Sequence, residues 1–412
     1  MKHTVFKSSF YSFILSVLFF CASSNAHGQD IPNNMIAENP VEIRIDPRSA
    51  VASELPAKEI FSGIEFIPLE RSKKSSFTTI DQLEFAGDYM FLFEKNNSII
   101  NGAKNSAIFI FNKNGKFQVK ISNFRSSYFA VNYQAEEIVF RDFNSKGNWL
   151  FYNFKGNLLR TEPVPFGFTT FSFLGKNLVS HYQNYFFNAS SGDILILKPE
   201  IRDYNLIVTK DFKEVDSFYL KFNKAVLGDS PELYAVGKNF YNSQKRYFIP
   251  EYEYKVYSLS SEGISSEFNF VFPALNSIPT NFLSLDKVLR ANYTKNKYAI
   301  YAISDFYKVG EILTFRLNYN NSLPQTFFYD INTAIATAYS AIKPDVSSSS
   351  LPLGKTIVGA DQNYFYSFLS AKELAKYKKN NVTKTSIKTL PSALRAYFTS
   401  ENENPIMLRF KM

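Results

Sequence analysis

From Phe61 onward the chain is written as short apolar and aromatic runs that alternate with polar positions and are separated by Asn, Gly, Lys and Asp. Alternation with a period of two sends one set of side chains to each face of a pleated strand, so the pattern predicts many short antiparallel strands. One hairpin recurs. Ala107-Ile108-Phe109-Ile110-Phe111 enters the turn Asn112-Lys113-Asn114-Gly115 and leaves through Lys116 to Ile121. The Asn-Gly pair supplies the positive φ angles that tight hairpins require. Trp149 to Tyr152, Asn153-Phe154-Lys155-Gly156 and Asn157 to Leu159 repeat the unit. Weaker copies turn at Thr209 to Lys213, Ser260 to Gly263 and Asp330 to Thr333. Successive turns lie 41 residues apart (Gly115 to Gly156), then 57 (to Lys213), 50 (to Gly263) and 70 (to Thr333).

A period near 40 to 50 with growing insertions is that of propeller blades, each a four-stranded sheet whose last two strands form this hairpin. The expected earlier strands are Thr79 to Phe85 with Tyr89 to Glu94, and Tyr128 to Tyr133 with Glu137 to Asp142. Five units and a divergent sixth around Asn363 to Phe368 predict an all-β, six-bladed β-propeller of four-stranded antiparallel blades over residues 61–412. Its last blade would pair the C-terminal strand Pro405 to Phe410 with the N-terminal strand Gly63 to Leu69, removing an exposed edge. Two stacked β-sandwiches are the competing arrangement; the recurrence of the hairpin at one phase argues against them. Short helices are expected at the capping box Ser370 to Glu373 and after Pro391. Residues 29–60 read as a mostly extended segment with one alternating piece, Val41 to Ile45.

Composition adds a compartment. Lys2 and Lys7, the apolar stretch Phe10 to Phe20 and the small residues around Ala26 have the order of a signal peptide, so residues 1–28 are expected to be removed on export to the periplasm or cell surface. Lipid anchoring through Cys21 is the minority alternative, because Phe20 stands where processing needs a small residue. No later run approaches the roughly 20 apolar residues of a membrane span. Cleavage near Gly28 leaves a formal charge of +7, no cysteine and one histidine, His181. That inventory excludes a disulfide framework, a Cys/His zinc site and a cysteine nucleophile. His181 lies in an alternating stretch and reads as a packed strand residue. Neither a G-x-S-x-G elbow nor a phosphate-cradling glycine loop occurs, so no cofactor or metal is expected.

The chain resembles the exported six-bladed propeller proteins, NHL-like in architecture, of Bacteroidetes-type bacteria. The matching pieces are Phe66 to Glu70, Ile108 to Phe117, Val256 to Leu259 and Asn404 to Lys411. Many relatives carry a glycine-rich connection after the first blade, whereas this chain has Ser122 to Tyr128. The resemblance implies the fold and export and transfers no catalytic residue.

Propellers bind ligands where loops converge at the mouth of the central channel. Arg125, Asp142, Lys146, Arg246 and Asp305 are candidates for a polar funnel, and Tyr247 and Tyr252 belong to an aromatic-basic stretch, Tyr241 to Tyr254, suited to sugar rings or peptides. A single-chain binding or scaffold propeller for a protein, peptide or glycan is the leading expectation. A glycan hydrolase or lyase using funnel carboxylates is the alternative; no sialidase-like S-x-D-x-G box supports it. The modest positive charge gives no case for a nucleic-acid partner.

Overall fold

The computed structural model describes residues 35–36, 39–51, 54–100, 103–145, 147–164, 168–182, 204–221, 236–243, 245–320, 322–381, 386–399 and 404–412. The expected signal segment with Cys21 lies outside them, as does Lys146. Residues Met35–Met412 form one compact unit.

Six antiparallel sheets follow one another along the chain. Blade 1 comprises Gln82–Ala86, Tyr89–Ile100, Ala103–Asn112 and Phe117–Phe124; blade 2 comprises Phe129–Asn132, Glu137–Asp142, Asn148–Asn153 and Leu158–Glu162. Blade 3 is built from Thr170–Phe173, Leu178–Tyr182, Tyr204–Lys210 and Glu214–Lys221, and blade 4 from Phe240–Asn242, Arg246–Phe248, Lys255–Ser260 and Gly263–Val271. Ile300–Val309, Ile312–Tyr319, Gln325–Asp330 and Ile335–Ala338 make blade 5. The first strand of each blade touches the first strand of the next, and that of blade 6 returns to that of blade 1. This closed ring is a six-bladed propeller and disposes of the stacked sandwiches.

Blade 6 is a composite. Gly359–Ala360 and Phe365–Leu369 are followed by the C-terminal strand Ile406–Lys411, and Gly63–Pro68 forms the outer edge, with Met407 opposite Ile67 and Phe410 opposite Ile64. The ring is thus latched by strands from the two ends of the chain. Val41–Arg44, the alternating piece of the N-terminal segment, pairs in parallel with Gly263–Val271 on the outer edge of blade 4. Strand edges left open invite pairing with other chains, and this one is covered from within.

The recurring turns share one physical cause. Asn112 Oδ1 accepts the N–H groups of Asn114 and Lys116, and Asn153 Oδ1 accepts those of Lys155 and Asn157. Gly115 and Gly156 then take φ of 81° and 76°. At Gly115 a further constraint operates: a Cβ there would lie 2.3 Å from the carbonyl oxygen of Pro68, so the blade 1 turn packs directly on the edge of blade 6. Asp330 Oδ1 does the work of the asparagines in blade 5, accepting from Asn332 and Thr333.

The aromatic residues fill the wedges between blades. Phe91, Phe93 and Ile110 of blade 1 meet Phe129 and Phe140 of blade 2, and Trp149 and Phe151 of blade 2 meet Phe171, Phe173 and Phe212 of blade 3. Tyr182 and Leu206 pack on Phe240 and Phe248, Phe268 and Phe270 on Phe306 and Phe315, and Tyr366 and Met407 on Phe109. Each such side chain contributes about 1.5–3 kcal/mol on leaving water, so the high aromatic content is chiefly an inter-blade packing requirement. The capping box appears as expected: Ser370 and Glu373 bond reciprocally at the start of the helix Ala371–Asn381, and a second helix spans Ser392–Thr399. A helix at Lys287–Thr294, capped by the Asp286 side chain on the Leu289 N–H, was not expected. It lies in the connection between blades 4 and 5.

Candidate functional site

Two cavities open at opposite ends of the first strands. One, about 500 Å³, lies where those strands begin and is lined by Tyr128, Lys238, Tyr241, Asp305, Tyr307 and Arg316. The other, about 520 Å³, lies at their far ends, among the turns into the second strands, and includes Tyr133, Gln134, Arg246 and Gln362. A polar cluster separates them. In Gln82–Ala86 the period of two turns Gln82 and Glu84 toward the channel, while Leu83 joins the core. Glu84 Oε1 accepts from Lys238 Nζ at 3.0 Å and from Gln82 Nε2 at 3.2 Å, and Oε2 accepts from Asn242 Nδ2 at 2.7 Å. Blade 1 is thereby tied to blade 4. Gln82 also exchanges hydrogen bonds with the Phe129 backbone, tying blade 1 to blade 2.

The Lys238 ammonium additionally faces the Tyr241 and Tyr307 rings at 5.5 and 5.7 Å. Tyr241 donates to the Lys238 carbonyl and Tyr307 to that of Val358. Burial, reinforced by nearby carboxylates, holds the phenols of Tyr128, Tyr241 and Tyr307 well above the ordinary range, so all three are neutral donors at physiological pH. Burial also raises the Asp305 carboxyl, against the opposing charges of Arg316 and Lys238; Arg316 Nη1 is 3.5 Å from Asp305 Oδ2.

The residues singled out from sequence are dispersed. Asp305 lines the first cavity and Arg246 the second. Arg125 is exposed at the junction of blades 1 and 2, where its backbone N–H donates to Asp142 Oδ1; the buried Asp142 carboxylate also accepts from Asn144 N–H, forming a turn. Tyr247 is buried edge-on against Phe306, its hydroxyl 3.4 Å from Glu267, and Tyr252 stacks on Phe282 at 5.0 Å. The channel residues that sequence reading passed over are Glu84, Lys238 and Arg316, whereas Asn242 fell within the Tyr241 to Tyr254 stretch. Glu84 carried a signal, a charged residue on one face of a strand otherwise bounded by core positions.

His181 is fully buried, with Nε2 2.8 Å from Thr209 Oγ1 and its ring beside Phe168 and Trp149. Burial lowers its pKa to about 3, so the folded protein keeps the imidazole neutral. The unfolded chain binds that proton near pH 6.5, so between about 6.5 and 3 the unfolded state holds more protons and stability falls as pH falls. Between pH 7 and 5 this group is expected to remove about 2 kcal/mol. Urea unfolding of His181→Asn beside the parent at both pH values checks this: the variant should lack that increment, and an unchanged acid slope would refute it.

Among the described residues no three His, Cys, Asp or Glu side chains are grouped to hold a metal ion, and no helix is long and apolar enough to cross a membrane. No curated protein sequence matches the chain. In structure it is similar to a candidate exported protein of Bacteroides fragilis, with a TM-score of 0.65, 16% identity, and coverage of 91% of this chain and 99% of that one. A Listeria monocytogenes protein aligns with a TM-score of 0.31 and 11% identity over 74% of this chain and 88% of its own. The first of these likenesses agrees with the propeller ring. Residues 42–411 match the family model described as Domain of unknown function (DUF4934), and the chain belongs to that family.

Proposed function

We propose that this protein is an exported, non-enzymatic binding propeller that takes its ligand, a protein, peptide or glycan, at a mouth of the central channel. The observation that carries the reading is the Glu84 cluster: by bridging Lys238 and Asn242 across the ring it divides the channel into two cups. Cups of about 500 Å³ with polar walls have the size of small-ligand sites. Export rests on the signal-like residues 1–28. The interior acids are already engaged: Glu84 by three donors, and Asp361 by the N–H groups of Asn363 and Tyr364 and the Tyr366 hydroxyl. Asp305, with its carboxyl raised by burial, is the feature a hydrolase would use.

The test applies residues 29–412 to glycan and peptide arrays while product formation is measured on the same panel. Saturable binding without turnover supports the reading. Turnover that disappears in Asp305→Asn replaces it with the hydrolase.

A further inference from the structure

Arg246 stands at the start of the second strand of blade 4 and lines the cavity at the far ends of the first strands. Its Nε donates to Asn242 Oδ1 at 2.9 Å, and neither terminal nitrogen has a hydrogen bond or ion pair with a described residue. The other charges at this mouth are matched. Lys245 pairs with Glu267 at 3.0 Å, Lys113 lies 3.8 Å from Asp361, and Glu84 is held by Lys238 and Asn242. A guanidinium offers a planar pair of donors suited to a carboxylate, and this one feels only the longer-range field of Glu84, itself held by Lys238 and Asn242, so its terminal nitrogens can still take an anion. Burial brings the Arg246 pKa down to about 10, which still leaves it cationic at neutral pH.

Around it stand groups of another character. Tyr133 is 63% exposed, and Gln134, Gln362 and Asn363 are exposed with no side-chain hydrogen bond to a described residue. An open aromatic face matches the apolar face of a pyranose ring, and primary amides both donate to and accept from hydroxyls. An acidic peptide shares the cation, while hydroxyl-pairing amides beside an open ring face favour the sugar.

We propose that the Arg246 mouth binds a uronic-acid-bearing oligosaccharide, with the sugar carboxylate on the terminal nitrogens of Arg246, hydroxyls on Gln134, Gln362 and Asn363, and a ring face on Tyr133. This rests on the binding reading above and names the ligand class for one of the two cups. The experiment titrates residues 29–412 calorimetrically with oligogalacturonate, oligoglucuronate and oligomannuronate, each beside its carboxyl-reduced counterpart, and with a poly-glutamate peptide. Expected is saturable binding of at least one uronate, weakened at least about tenfold by carboxyl reduction and by Arg246→Ala, and partly kept by Arg246→Lys. Tyr133→Ala, at an exposed position, should also weaken it without altering thermal unfolding. Equal binding of the reduced sugar, or indifference to both substitutions, overturns the ligand class while leaving a binding propeller in place. Binding of the peptide alone, or of no uronate at all, overturns the assignment as well; failure of the binding reading itself would appear separately, as turnover on the panel.

Discussion

Glu84→Ala is expected to cost about 3–5 kcal/mol of stability, because it strands the Lys238 ammonium in a buried setting. The two side chains are 4% and 13% exposed, so water compensates little of the loss. The partners are 154 residues apart in the chain and on facing blades, so the change also removes the tie across the ring. Lys238→Met should be costly for the complementary reason, leaving the carboxylate with only the amides of Gln82 and Asn242. Replacing both, Glu84→Leu with Lys238→Met, should cost less than the single changes sum to, since an apolar pair of similar volume leaves no orphaned charge. Urea unfolding of the three variants measures this coupling. Strict additivity would mean that the bridge has no energetic role and that the channel is held by its walls alone.

Deleting residues 405–412 is expected to abolish cooperative folding. The strand Ile406–Lys411 is hydrogen-bonded on both sides, to Phe365–Leu369 and to Gly63–Pro68, so its loss opens blade 6 and leaves the N-terminal strand without a neighbour. Blades 1 and 5 would then each expose a face to water, and the ring would have two ends. A graded version is Phe410→Ala. Phe410 is fully buried, stacks on Phe61 at 4.6 Å and lies near Tyr339, so the cavity should cost about 3–5 kcal/mol. Circular dichroism during thermal unfolding, with limited proteolysis, reads both. A sharp transition in the deletion variant at the parent temperature would show that latching is dispensable.

The hairpins were readable because their causes are local. The side chains of Asn112 and Asn153 bond N–H groups two and four residues ahead, and Gly115 and Gly156 supply the left-handed positions those turns need. The latch was also readable, since an apolar alternating strand at each end of a repeat series has few other places to go. The helix Lys287–Thr294 was missed although Asp286 caps it, because a single cap among strands is a weak signal. The candidate site was legible only in fragments. Arg246 and Asp305 were picked out as charged residues in turn-rich stretches, yet they line different cups, while Tyr247 and Tyr252 are buried against Phe306 and Phe282.

By itself, the sequence determined the strand period, the turn chemistry, the number of blades and the pairing of the chain ends. These follow from backbone geometry and hydrophobic alternation acting over a few residues. Tertiary structure alone decided which polar groups face one another. Glu84 meets Lys238, and Arg246 reaches that carboxylate only through the Asn242 amide, because closing six blades into a ring fixes distances between residues that no local rule relates.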